Sequence, residues 1–123
     1  MPTEIPSLHA AYANTFKIGA AVHTRMLQSE GDFIAKHFNS ITAENQMKFE
    51  EIHPEEGRYT FEAADQLVDF AVAQGIAVRG HTLVWHNQTS KWVFEDTSGA
   101  PASRELLLSR LKQHIDTVVG RYK

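Results

Sequence analysis

The sequence predicts a parallel α/β fold. Three observations carry that expectation. Apolar stretches of strand length alternate with stretches of helical period, in the order βα-βα-βα. The first strand, Lys17 to Val22 (KIGAAV), is apolar without alternation, as a strand covered on both faces should be. Polar and aromatic side chains collect just past the ends of the second and third strands, where parallel α/β folds bind ligands. Right-handed βα units imply a parallel sheet. Two forms fit, a doubly wound sheet and a (β/α)₈ barrel. The turn after the first strand reads GAAVH and not GxGxxG, which removes the commonest reason to prefer a nucleotide-binding sheet.

Element by element, Ser29 to Phe38 reads as a helix. Ser29 and Asp32 resemble a capping box, and Phe33, Ile34, His37 and Phe38 share a face. Ser40 to Ala43 is the second strand. EEIHPEEGRY follows as a loop, marked by Pro54 and Gly57, and its glutamates Glu50, Glu51, Glu55 and Glu56 read as solvated. Thr60 is placed to cap the next helix, whose apolar stripe is Phe61, Ala64, Leu67, Val68, Ala71 and Val72. Gly75 is placed to end it. Ile76 to Trp85 (IAVRGHTLVW) reads as the third strand. A loop from Asn87 to Pro101 carries Trp92 and Phe94 as a hydrophobic plug. The last helix starts at the N-cap Ser103 and buries Leu108, Leu111, Ile115, Val118 and Tyr122.

Length and composition narrow the class. The 123 residues make at most one domain, against a usual size of ~100–150. Hydrophobic residues are 42% and charged residues 22%, an ordinary globular balance that excludes a disordered or collagen-like chain. Twelve Lys and Arg against fifteen Asp and Glu leave a net charge of −3, with no basic excess for nucleic acid or anionic lipid. The absence of cysteine excludes a disulfide framework and a thiolate metal site. The first residues, MPTEIPSLHAAY, lack a basic region followed by an apolar run, and no stretch reaches the ~18 apolar residues of a membrane span. A soluble, cytoplasmic protein is expected.

The polar residues point to a neutral polyol. The second strand runs into Glu44 and Asn45, with Lys48 beyond. The third carries His81 and runs into Trp85, His86, Asn87 and Gln88. Sugar hydroxyls both donate and accept, so carboxylates and amides pair with them, and the apolar face of a pyranose can lie on an indole. Plainer readings stand beside this one. Glu44 and Lys48, four apart, read equally as a surface ion pair, and Trp85 as a core residue. His81 and His86 read as core histidines or zinc ligands, although HxxxxH at a strand end lacks the glutamate and the helix of an HExxH site. His9, His23, His37, His53 and His114 are scattered and suggest no chemistry.

Two strings carry a resemblance. TAENQMKFE (Thr42 to Glu50), followed some thirty residues later by RGHTLVWHNQTSKWVF (Arg79 to Phe94), closely resembles the catalytic barrel of glycoside hydrolase family 10, the retaining endo-1,4-β-xylanases. PEEGRYTFEAAD (Pro54 to Asp65) is similar to the same family, and the resemblance runs from about Phe16 onward. It implies a TIM barrel, of which residues 1–123 supply roughly the first three βα units of a single domain. It implies that Glu44, Asn45 and Lys48 bind glycone-side sugars and that His81 contacts the sugar next to the cleaved bond. Trp85 would wall that subsite, Gln88 would reach sugars further out, and His86 would hold the catalytic groups in place. Xylan or xylo-oligosaccharide is the implied substrate, with no metal and no organic cofactor.

The resemblance also has a gap. The family's acid/base and nucleophile are glutamates at the ends of the fourth and seventh strands, and retaining chemistry needs both, ~5–5.5 Å apart. A barrel of this kind needs ~250 residues. Neither catalytic glutamate is expected in this chain, and Glu44 is implied to bind rather than react. Two open sheet edges remain, and Gly19, Ala21, Ile41, Ala43, Val78 and Gly80 are expected on a barrel face without its opposite half. The chain is therefore expected to need a complementary C-terminal barrel portion or to self-associate. Three functions stay open: the sugar-gripping portion of a xylanase, a non-catalytic piece that binds xylo-oligosaccharide or only associates, and part of another sugar-active barrel.

Overall fold

The βα alternation folds as a three-stranded parallel sheet in the order β1 (Gly19–Val22), β2 (Ser40–Ala43), β3 (Ala77–Arg79). The structure, a computed structural model, describes residues 4–123. Residues 1–3, where the stretch read for a leader begins, lie outside it. The chain divides into two compact units. One comprises the residues up to Gln46 together with Glu62–His81, and the other Met47–Phe61 with Thr82–Lys123.

The first unit holds the sheet with α1 (Leu8–Ala11), α2 (Met26–His37) and α4 (Glu62–Gln74). Its core is the helix-facing side of the strands: Val22, Ile41 and Ala43 are almost wholly buried, with Ile34 of α2 and Ala64, Leu67 and Ala71 of α4. Gly31 is buried on α2, where a Cβ would stand in van der Waals contact, 3.4 Å, with the Phe70 ring of α4. Pairing aligns Gly19, Ser40 and Ala77 in one row and Ala21, Thr42 and Arg79 in another. Those two rows face away from the helices.

That parity corrects the sequence reading. Ile41 and Ala43 lie under the helices and not on the open face, because side chains alternate along a strand and the apolar pair takes the covered side. Val78 is half-buried, and Gly80 lies beyond the ladder. β3 itself is three residues long, not ten: its ladder stops at Arg79 opposite Thr42, one residue before β2 ends at Ala43. Helix α2 begins at Met26, so Ser29 is inside it. Its N-cap position, Arg25, has no side-chain cap, and just before the helix His23 Nδ1 accepts the Arg25 N–H at 3.1 Å. Phe33 and Val72 are exposed edges of their apolar stripes. Gly75 does end α4. At φ +68°, it closes a Schellman turn through Gly75 N–H to the Val72 carbonyl and Ile76 N–H to the Ala71 carbonyl. Gly75→Ala is expected to lower the unfolding free energy by about 1 kcal/mol in urea titration, since alanine resists that φ.

The second unit holds α3 (Phe49–Ile52), a 3₁₀ turn (Lys91–Phe94) and α5 (Arg104–Tyr122). Part of the stretch read as loop is thus helical, although Glu50, Glu51, Glu55 and Glu56 are all exposed. Thr60 stands two residues before α4 in sequence. Its hydroxyl donates to the Glu51 carbonyl and its N–H to the Ile52 carbonyl, closing the loop after α3. Ser103 caps α5 through Leu106 N–H at 3.1 Å. The buried seam of α5 is Arg110, His114 and Val118, and Leu108 is exposed. In the plug region Val93 is buried and Phe94 exposed, while Trp92 packs edge-on to His53.

The polar seam is satisfied in part from within the unit, while Arg110 Nε and the Nε2 atoms of His53 and His114 are buried without a hydrogen-bond partner among the described residues. Arg110 donates to the carbonyls of Trp92 (2.8 Å), Val93 (3.2 Å) and Glu95 (2.7 Å) and pairs with Glu56 at 3.0 Å. His114 stacks on Phe49 at 3.7 Å between centroids and shares a 3.1 Å Nδ1–Nδ1 hydrogen bond with His53, which stacks on Tyr59. One of these rings must accept, so at least one is neutral. Burial, then the charge of His53, pushes His114 down to about 4. Burial lowers His53 as well, against the raising influence of Glu56. Unfolded histidines titrate near ~6.5 and bind protons that the folded pair refuses. Stability is therefore full above that pH and falls as pH drops from ~6.5 toward 4. Urea unfolding across this window checks the slope, and His114→Phe is expected to flatten it.

Candidate functional site

The strand ends of the first unit carry part of the predicted set. Glu44 follows β2 directly. Its N–H donates to the Val22 carbonyl at 3.0 Å, which extends the ladder by one bond and leaves the side chain exposed. Asn45 is half-buried beside the buried Gln46. His81 stands two residues past β3, half-buried. Residues 44–48 run through bends and a turn and form no helix, so the spacing of Glu44 and Lys48 is not that of a helical pair.

In the second unit, Lys48, Trp85 and Gln88 come together. Lys48 Nζ donates to Gln88 Oε1 at 2.7 Å and lies 5.4 Å from the centre of the Trp85 ring. Trp85 is half-buried, neither swallowed as a core residue nor fully open. His86 is exposed, edge-on to Trp85 at 5.4 Å and 3.3 Å from Asn87 Nδ2. The arrangement is a fixed ammonium and a fixed amide beside an indole. It offers charge-assisted and neutral hydrogen bonds at the rim of an apolar plate, a combination suited to a molecule with hydroxyls around an apolar face.

The backbone beneath this cluster is held from several sides. Gln88 has φ +52°, a left-handed conformation uncommon for a residue with a side chain. Its carbonyl accepts the Glu50 N–H at 3.1 Å, and Thr89 Oγ1 donates to the Trp85 carbonyl at 2.5 Å. Ser90 Oγ and Trp92 Nε1 both donate to the His53 carbonyl, at 2.8 and 3.1 Å. Sequence reading found Lys48, Trp85 and Gln88 but not these anchors, and all but the Thr89–Trp85 bond join residues some forty positions apart and leave no local signal. Among the described residues no three His, Cys, Asp or Glu side chains gather as a metal site would require.

The profile of glycosyl hydrolase family 10 matches residues 7–123. The chain belongs to that family. It is 80% identical over its whole length to endo-1,4-beta-xylanase B of Paenibacillus barcinonensis, of which it covers 37%. A crystal structure of that xylanase with a conduramine derivative superposes with a TM-score of 0.97 at 81% identity, covering 98% of this chain and 37% of the other. An intracellular xylanase of Thermoanaerobacterium saccharolyticum, solved as a mutant with xylotriose, superposes with a TM-score of 0.93 at 46% identity. That match covers 97% of this chain and 38% of the other. The family fold is the (β/α)₈ barrel, so the three parallel strands are part of one, and this chain spans little more than a third of the relatives' length.

The strained residue at the centre of the cluster yields a prediction. Gln88→Gly and Gln88→Ala both lose the Lys48 bond, but only glycine also relieves the positive φ. Gln88→Gly is expected to be the more stable variant by about 1 kcal/mol in urea unfolding.

Proposed function

We propose that this chain supplies the substrate-gripping part of a retaining endo-1,4-β-xylanase. The observation that carries the reading is the Lys48–Gln88 bond set against the Trp85 ring. Xylose units present hydroxyls to such a cation and amide and an apolar ring face to the indole. Glu44, Asn45 and His81 add binding groups at the C-terminal ends of the strands, where barrel enzymes work. His86 supports the catalytic groups. The relatives described as xylanases, one of them solved with xylotriose, support xylan or xylo-oligosaccharide as the ligand. A location inside the cell belongs to the same reading and is supported by the relative described as intracellular.

Bond breaking is assigned outside residues 1–123. Double displacement takes two glutamates ~5–5.5 Å apart across the glycosidic bond, one to protonate the leaving oxygen and one to form the glycosyl–enzyme bond. The residues described above position the sugar, and their hydrogen bonds strengthen as charge develops at the anomeric carbon. The partner is the complementary portion of the barrel. A second reading, a piece that binds or self-associates without hydrolysis, is favoured by one observation: the row of Ala21, Thr42 and Arg79 lies bare or half-bare between two open strand edges.

Reducing-sugar release from xylan separates these readings. The chain alone is expected to be inactive, and activity is expected on joining or mixing with the missing barrel portion. Activity of the chain alone would overturn the assignment of both catalysts elsewhere. Xylobiose binding without hydrolysis in either format would favour the second reading. In the active form, Trp85→Ala and Glu44→Ala are expected to lower kcat/KM on xylan by roughly 10–100-fold. A preference for cellulose over xylan would point to a different sugar-active barrel.

A further inference from the structure

The bare face of the sheet carries an unmatched charge. Of the six residues in its two rows, Gly19, Ser40, Ala77, Ala21 and Thr42 are small, and Arg79 alone is long and ionised. Arg79 is exposed and lines an open trough of about 410 Å³ with Lys17. No carboxylate lines that trough, and the Arg79 guanidinium makes no ion pair or hydrogen bond among the described residues. Register puts Arg79 beside Thr42, two residues before His81 on its own strand and two before Glu44 on the neighbouring one.

We propose that Arg79 is a docking point for the rest of the barrel. A strand completing the barrel places an inward-facing Asp or Glu against it, and the pair lies one layer beneath the strand ends that bear Glu44 and His81. This rests on the reading that the chain is completed into a barrel. A barrel interior is filled by layers of side chains, so closure takes Arg79 out of water. A guanidinium cannot shed its proton to escape burial, and a buried charge without a partner carries a heavy desolvation penalty. Its planar fork matches a carboxylate through two parallel hydrogen bonds. The small neighbours leave the volume that such a pair fills. With Lys17 also cationic and no acid on the face, the complementary surface must be acidic.

The test uses this chain continued by the remaining sequence of the Paenibacillus barcinonensis xylanase B, which is 80% identical over the shared part. Arg79→Met is expected to lower the melting temperature by roughly 5–15 °C, Arg79→Lys by less, and Arg104→Met, on the exposed start of α5, by at most about 2 °C. Replacing the inward-facing Asp and Glu residues of the added strands one at a time, by Asn or Gln, identifies the partner. In the Arg79→Met background one such change is expected to restore at least half of the loss. If Arg79→Met does not fold, Arg79→Lys and the double variants carry the same comparison. An Arg79→Met melting point within about 2 °C of the parent, or no carboxylate that couples to it, overturns the proposal. A parent that folds into no active barrel overturns the completion reading instead.

Discussion

Alternation along three short strands decides what the sheet shows to its surroundings. Once Val22, Ile41 and Ala43 are buried against α2 and α4, every residue of opposite parity must emerge on the other side. That side holds small residues, one arginine and, past the strand ends, Glu44 and His81. A shift of one residue in the pairing would exchange the two sets and put Ile41 in water. The same burial that stabilises this unit therefore orients its candidate binding groups.

The second unit is ordered by polar groups in its interior. Arg110 gathers three carbonyls of the segment ending the 3₁₀ turn, and two imidazoles, one of them lying on the Phe49 ring, share a hydrogen bond. Buried polar groups are unfavourable unless matched, and the matched atoms of these side chains allow few alternative arrangements. The segment from Trp85 to Trp92 hangs from this interior through the His53 carbonyl, which accepts from both Ser90 and Trp92. A left-handed backbone at Gln88 is tolerable because its carbonyl and its side chain are both engaged. The cluster of Lys48, Trp85 and Gln88 is thus held in place by the unit beneath it. A sugar meeting a prearranged set of groups loses less freedom on binding than one that must order them.

Legibility followed the range of the interaction that decides each feature. Local chemistry was sufficient for β2, for the Ser103 cap of α5 and for the turn at Gly75, because each is settled by neighbours within a few residues. It failed at the start of α2, which begins at Met26 and leaves Ser29 inside the helix, and along β3, whose ladder stops at Arg79 although the apolar run continues to Trp85. The seam of α5 was misread because an arginine and a histidine count as surface residues until their partners are known.

By itself the sequence determined the βα order, the family, and the two strand ends at which polar residues collect, since these depend on spacing and residue type. The tertiary structure alone decided which strand face is bare, that Lys48 meets Gln88 over Trp85, and that His53 and His114 share one hydrogen bond away from water. Those features join residues separated by up to 61 positions. No local pattern specifies which distant groups meet, because that choice is made by which surfaces are buried together.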